Sequence, residues 1–295
     1  MNIGIRLHDT AGSCLEEHLT AAKAQGFTCV HIAMGKVVPG FRMADAPELL
    51  TDELADHVRT LLEKNGQTCV LLGCYLNLCS PDMESHERTV EIYKAHLRFA
   101  KKIGALLVGT ETGAPNTGYK TCPECFTDEA LQLFIDRVTP VVRYAEEVGQ
   151  LFAIEPVVRH IVSTPERCAR VLKAVDSPNL RVILDAVNLL GEENVHDVHN
   201  IIADGVRLLG DKVSLLHMKD YIPYTTERGQ QVKATVPNTD VFSNLVSTAC
   251  GVGDMDYRPL VALAKARDLP MTLENTNPGN AVAARMYLEQ VGQTV

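Results

Sequence analysis

Four residues stand where short apolar runs break off. They are Glu155 after LFAI, Asp185 after LRVIL, His217 after VSLL and Glu274 after PMTL. Three carboxylates and one imidazole make a mostly oxygen donor set for a divalent cation. Such a set suits Mn²⁺ first, with Mg²⁺, Co²⁺ or, through the histidine, Zn²⁺ as other occupants. One of these residues alone is ordinarily a cap, an ion-pair partner or a hydrogen-bonded histidine. Four at successive run ends form a set, because carboxylates gathered without a cation would repel one another and be poorly solvated. The chemistry such a set supports is polarisation of a substrate carbonyl and its neighbouring hydroxyl, which eases loss of the adjacent proton.

To converge, the four must be carried on parallel strands. Apolar runs with strand character cover residues 2–7, 28–33, 68–76, 105–110, 151–155, 180–185, 213–217 and 270–273. Amphipathic segments follow them over 13–25, 51–65, 84–103, 128–148, 164–175, 195–209, 256–267 and 280–290. Ser13 and Thr51 are N-cap residues by type, and Gly26, Gly66, Gly104, Gly149 and Gly210 stand just past predicted helix ends. Pro165 fits a first helical position. Strands alternating with helices imply parallel pairing and right-handed crossovers. Near-continuous apolar strands imply a sheet buried on both faces. Eight units in 295 residues predict an α/β fold, a single (β/α)8 TIM barrel over residues 1–295. An open doubly wound sheet is the alternative, but neither G-x-G-x-x-G nor G-x-x-x-x-G-K-[ST] is present to give its usual nucleotide signal. Residues 221–254 are polar and weakly periodic, and are expected to form a long active-site loop after strand seven.

Composition removes other classes. A net charge of −9 and a pI near 5.6 argue against nucleic acid and anionic membrane surfaces as partners. No apolar run approaches the roughly 18–20 residues that span a bilayer. The opening MNIGIRLHDT reads as a strand rather than a signal peptide. The nine cysteines are odd in number and most sit in apolar runs, which predicts buried thiols in a reduced, cytoplasmic protein. Cys122-Pro-Glu-Cys125 is a lone C-x-x-C without the second pair that a structural zinc needs.

At this point the chain resembles a known family, the xylose-isomerase-like TIM barrels of the sugar phosphate isomerase/epimerase group. The carrying segments are AIEP at 153–156, VILDAVN at 182–188, LHMKD at 216–220, GVGDMD at 251–256 and TLEN at 272–275. The H-x-K-D and G-x-G-D-x-D patterns are the most typical of them. The resemblance spans essentially the whole chain. It implies that Glu155, Asp185, His217 and Glu274 hold the metal and that Glu155 and Glu274 are also the catalytic acid/base pair. A carboxylate on each side of a carbon can remove a proton from one face and return it to the other, as epimerisation requires. Many resembling sequences carry histidine where this chain has Asn188, which can hydrogen-bond a substrate hydroxyl but cannot titrate.

Further polar residues follow strand ends and are candidates for holding a substrate: Arg6, His8, Glu111, His160, Asn188 and Lys219, with Tyr75, Asn77 and Arg159 nearby in sequence. Arg6 and His8 have a plain alternative as salt-bridge partners at the barrel rim, and Lys219 as the partner of a nearby carboxylate. The expected activity is a metal-dependent isomerase or epimerase acting on a small carbohydrate, a keto-sugar or a related polyol, through an enediolate. A dehydratase or lyase using the same site for β-elimination is the alternative. An apurinic endonuclease is disfavoured by the charge and by the missing extra histidines. A non-catalytic sugar-binding subunit is disfavoured by the four intact ligands. The outer helices of such a barrel are expected to support a homo-oligomer, as is common in the resembling family.

Overall fold

The computed structural model describes residues Met1–Val295. Eight parallel strands close into a barrel: β1 (Ile3–Arg6), β2 (Cys29–Ile32), β3 (Thr68–Gly73), β4 (Leu107–Glu111), β5 (Leu151–Glu155), β6 (Leu180–Asp185), β7 (Val213–Met218) and β8 (Met271–Leu273). The ring shuts where β8 pairs with β1, Ile3 beside Met271 and Ile5 beside Leu273. A helix follows each strand, from Leu15–Ala24 after β1 to Ala281–Gly292 after β8. The expected eight-unit TIM barrel is therefore what the chain forms.

Strand alternation divides the core in two. Cys29, Leu71, Leu107, Ala153, Ile183 and Leu215 form a small cluster in the barrel interior. Their neighbours Val30, Leu72, Val108, Ile154, Leu184 and Leu216 belong to the larger core shared with the helices. The interior is tight at Gly109, where a Cβ would stand 2.5 Å from Ile183 Cδ1 and 2.6 Å from Leu71 Cδ1. Only glycine fits there without a neighbour shifting.

The helix ends obey local signals in most places. Thr51 Oγ1 accepts from Leu54 N at 3.2 Å, and Gly66 closes the Asp52–Asn65 helix at φ 64°. Gly104 and Gly149 close their helices in the same left-handed conformation. Ser13 departs from expectation. The first helix begins at Leu15 with Cys14 at the cap, and Ser13 N and Oγ each lie 2.8 Å from Glu17 Oε2, so Ser13 donates instead of capping. Gly210 stays right-handed at φ −47°. Two short helices, Met34–Val37 and Ala46–Leu49, were not expected between β2 and its long helix.

The segment expected as a long active-site loop after β7 carries strands and a helix of its own. Leu245–Thr248 pairs antiparallel with both Asp220–Pro223 and Asp240–Phe242, and the helix Glu227–Thr235 lies between the first two strands in sequence. Its strands are only three or four residues long, too short for a periodic signal in a polar stretch. Asp220 ties its base together, accepting from Tyr221 N at 2.9 Å, Gly251 N at 3.0 Å and Met255 N at 2.9 Å. The H-x-K-D and G-x-G-D-x-D segments are thus joined through one carboxylate.

Candidate active site

The same alternation that fills the barrel aims the polar residues. Each stands two residues beyond an interior position and so shares its face. Glu111 follows Gly109, Glu155 follows Ala153, Asp185 follows Ile183 and His217 follows Leu215, while His31 follows Cys29. Barrel register sets them side by side, with Glu111 opposite Glu155, Asp185 opposite His217 and Arg6 opposite His31. Glu274 lies one residue past β8, its amide bonded to Met218 O. All lie toward the strands' C-terminal ends, where barrel active sites are built.

The four expected ligands converge. His217 Nδ1 stands 3.2 Å from Glu155 Oε2 and 3.5 Å from Glu274 Oε1. Glu155, Asp185 and His217 each offer one atom within 4.8 Å of the others, and so do His31, His217 and Glu274. Neither nitrogen of the buried His217 ring makes a hydrogen bond of proper geometry, although Nδ1 faces two carboxylates. Asp185 is fixed by accepting from Val187 N at 2.9 Å and Asn188 N at 3.1 Å. An orphaned imidazole among three converging carboxylates fits a divalent cation, with Glu155, Asp185, His217 and Glu274 as the residues that would hold it.

Lys219 supplies a positive charge to this set. Its Nζ lies 2.7 Å from Asp185 Oδ2 and 3.2 Å from Glu274 Oε2. It was expected near a substrate oxygen or a carboxylate, and it takes the second arrangement. Burial works to raise the Glu274 carboxyl, but His217, Lys219 and Arg6 outweigh it and hold the group well below the usual carboxylate range. Burial likewise works to lower His217, yet Glu274 and Glu155 raise it to about 9. Glu111 is pushed up to about 7, first by burial and then by the charge of Glu155.

A cavity of about 470 Å³ opens above this cluster. Glu155 and Glu274 reach its surface, with Arg6, His8, Glu111, Asn188 and Lys219 also lining it. Asp185 and His217 lie beneath it, 1% and 2% exposed. His160 does not line it. That ring packs 5.2 Å from the Tyr119 ring and its Nδ1 stands 3.7 Å from Glu111, so it backs the cavity wall. Arg159, one residue earlier, faces the cavity instead.

Several lining residues went unread in the sequence. His31 sits inside an apolar strand, stacks on His217 at 5.4 Å, and its Nε2 lies 3.2 Å from Tyr75 Oη in hydrogen-bond contact. Its signal was a polar residue at an inward position of TCVHIA. Asp240, Phe242 and Ser247 reach the cavity from the sheet after β7, together with Lys36 and Asn275. Nothing local marks Asp240, Phe242 and Ser247, since the sheet that carries them is not visible in the sequence; Lys36 stands in the short helix after β2 and Asn275 just past β8. The Cys122 and Cys125 sulfurs lie 3.6 Å apart away from the cavity lining, and all nine cysteines are free. No helix is long and apolar enough to cross a membrane.

Comparison with known proteins agrees with this picture. A family model described as xylose isomerase-like TIM barrel matches residues 19–290. No curated protein matches the chain by sequence. Among solved structures, an L-ribulose 3-epimerase shares 15% identity at a TM-score of 0.71, over 99% of this chain and 94% of that one. The IOLI protein with a bound zinc atom shares 17% identity at 0.71, over 100% and 99%. A probable 3-DHS dehydratase from Bacillus anthracis shares 13% identity at 0.69, over 99% and 97%.

Proposed function

The chain belongs to the xylose isomerase-like TIM barrel family, and we propose that it is a divalent-metal-dependent isomerase or epimerase of a small sugar, keto-sugar or related polyol. The observation that carries this reading is the pairing of Glu155 and Glu274. They rise from β5 and from the end of β8, flank His217 Nδ1 at 3.2 and 3.5 Å, and both reach the cavity surface. A substrate carbon seated between them meets a carboxylate on either side. One removes its proton as a base, and the other, entering the step as the neutral acid with a proton taken from solvent, gives that proton to the opposite face; exchange with solvent then restores the pair. Asn188 donates to Glu155 Oε1 while Glu155 Oε2 stands 3.2 Å from His217 Nδ1, so both carboxylate oxygens are positioned. A divalent cation held by Glu155, Asp185, His217 and Glu274 would polarise the substrate carbonyl and stabilise the charge left by proton loss. Mn²⁺ is our expected ion on donor chemistry, and the similar IOLI protein, solved with a bound zinc atom, is in keeping with a metal-binding barrel.

A dehydratase reading shares the first proton abstraction. It is favoured by one observation, the amide of Asn188 in place of a titrating group beside Glu155. The similar structure described as a probable 3-DHS dehydratase belongs to the same fold.

Proton exchange tests both. The Mn²⁺-loaded protein is incubated in D₂O with ketoses, ketose phosphates, inososes and 3-keto-glycosides, and each is followed by NMR. Inversion of a stereocentre or migration of a carbonyl with deuterium uptake, lost in Glu155→Gln and Glu274→Gln, is the expected result. Release of water or an aglycone makes the protein a lyase. Metal binding with no exchange on any substrate class counts against proton abstraction from these sugars.

A further inference from the structure

We propose that the substrate carries an oxyanion group, a carboxylate or a phosphate monoester, and that Arg159 binds it at the cavity mouth. The proposal deepens the reading of this cavity as a sugar isomerase or epimerase site and rests on it.

The argument begins with the cations lining the cavity, which are Arg6, Lys36, Arg159 and Lys219. Two are already engaged. Arg6 pairs with Asp9 at 3.1 Å and approaches Glu274 at 3.8 Å, and Lys219 bridges Asp185 and Glu274. Arg159 and Lys36 have no ion-pair partner. Glu111 and Asp240, which line the same cavity, stand close enough for their charges to act on Arg159 but form no ion pair with it; Glu111 Oε2 accepts from Tyr119 Oη at 3.4 Å, and Asp240 Oδ2 accepts from Asn275 Nδ2 at 3.3 Å.

Arg159 is exposed at the cavity mouth and rests against an aromatic ring. Its guanidinium carbon lies 3.9 Å from the centroid of the Phe242 ring. A guanidinium laid on a ring keeps its N–H donors in its own plane, directed past the ring edge. That edge is the fork that pairs two donors with two oxygens of a carboxylate or phosphate. Phe242 closes the strand Asp240–Phe242, so the sheet after β7 supplies the platform, while Arg159 comes from the loop after β5. Two separate segments thus meet to present one unpaired cation to a cavity whose floor would also carry a divalent ion. A neutral sugar in that space could accept hydrogen bonds from Arg159 through its hydroxyls but would leave the charge without a counter-charge. An oxyanion satisfies it.

Binding of non-reacting probes tests this apart from turnover. Mn²⁺-loaded protein is titrated calorimetrically with D-glucitol, D-gluconate and D-glucitol 6-phosphate. At least one anion is expected to bind about tenfold tighter than glucitol, the scale of one charge-assisted pair. In Arg159→Gln that advantage is lost while glucitol affinity stays within about twofold, and Arg159→Lys keeps part of it. Which anion shows the advantage separates carboxylate from phosphate. Anions that bind no better than glucitol, or not at all, overturn the proposal. So does an advantage that survives in Arg159→Gln, because the metal or Lys36 then holds the charge. Unchanged melting of the variant confirms that the fold is intact. Since no reaction is read, failure of the isomerase reading and failure of this one give different results.

Discussion

Asn188 donates from Nδ2 to Glu155 Oε1 at 2.6 Å, while its backbone N–H is given to Asp185 Oδ1 at 3.1 Å. One residue therefore orients two carboxylates on neighbouring strands. Supporting bonds of this kind typically carry 10–100-fold in activity or metal affinity. Asn188→Ala is expected to slow deuterium exchange about 10–100-fold. Asn188→His places a titrating ring beside Glu155, and its exchange rate is expected to gain a limb between about pH 5 and 8. A pH–rate profile identical to that of the parent would remove the link between Asn188 and Glu155.

Metal removal follows from the charge held in the site. Three buried carboxylates converge there, with Lys219 as the cation that bridges two of them. A divalent ion binding the folded state alone should stabilise it by about 2.7 kcal/mol at 100 times its Kd. Thermal melts should rise on adding Mn²⁺ and fall back with chelator. Asp185→Asn and His217→Ala should abolish the rise. Persistence of the full shift in either variant would place the ion elsewhere.

His96 makes stability depend on pH far from the cavity. Its Nδ1 donates to Ile92 O at 2.8 Å, and its Nε2 is buried without a partner. Burial lowers the ring to about 4, against 6.5 when exposed. The unfolded chain thus takes up this proton first as pH falls. The contribution is full above about pH 6.5 and is lost towards pH 4, amounting to about 3 kcal/mol. His8 and His160, each lowered to about 3 chiefly by burial, tilt the curve the same way. Urea melts from pH 4.5 to 7.5 should show this loss, and His96→Asn should flatten it. An unchanged slope in the variant would contradict the assignment.

Asp220 is expected to matter for stability rather than for chemistry. It accepts three backbone N–H bonds at the base of the sheet after β7. Asp220→Asn turns an N–H toward at least one of those donors and should cost about 1–3 kcal/mol in a denaturant melt. Because Phe242 and Asp240 line the cavity from that sheet, KM should rise more than kcat falls. A fall confined to kcat would argue for a direct role instead.

The residues show how far sequence alone reached. Glu155, Asp185, His217 and Glu274 were legible because each ends an apolar run, and strand direction brings run ends together whatever the detailed packing. The helix closures at Gly66, Gly104 and Gly149 were legible because a cap depends on a few contiguous residues. Other features required the folded chain. His31 joined the site because β2 lies beside β1 in register, which a single strand does not record. His160 turned behind Glu111 while Arg159 turned toward the cavity, where the two pack against Tyr119 and Phe242. The short strands after β7 exist through their antiparallel partners, not through their own periodicity. Local hydrogen bonding and alternation are written in adjacent residues, so the sequence determined the barrel and the carboxylates at its mouth. Contacts between distant segments form only once the ring has closed, so the tertiary structure decided which side chains share the cavity.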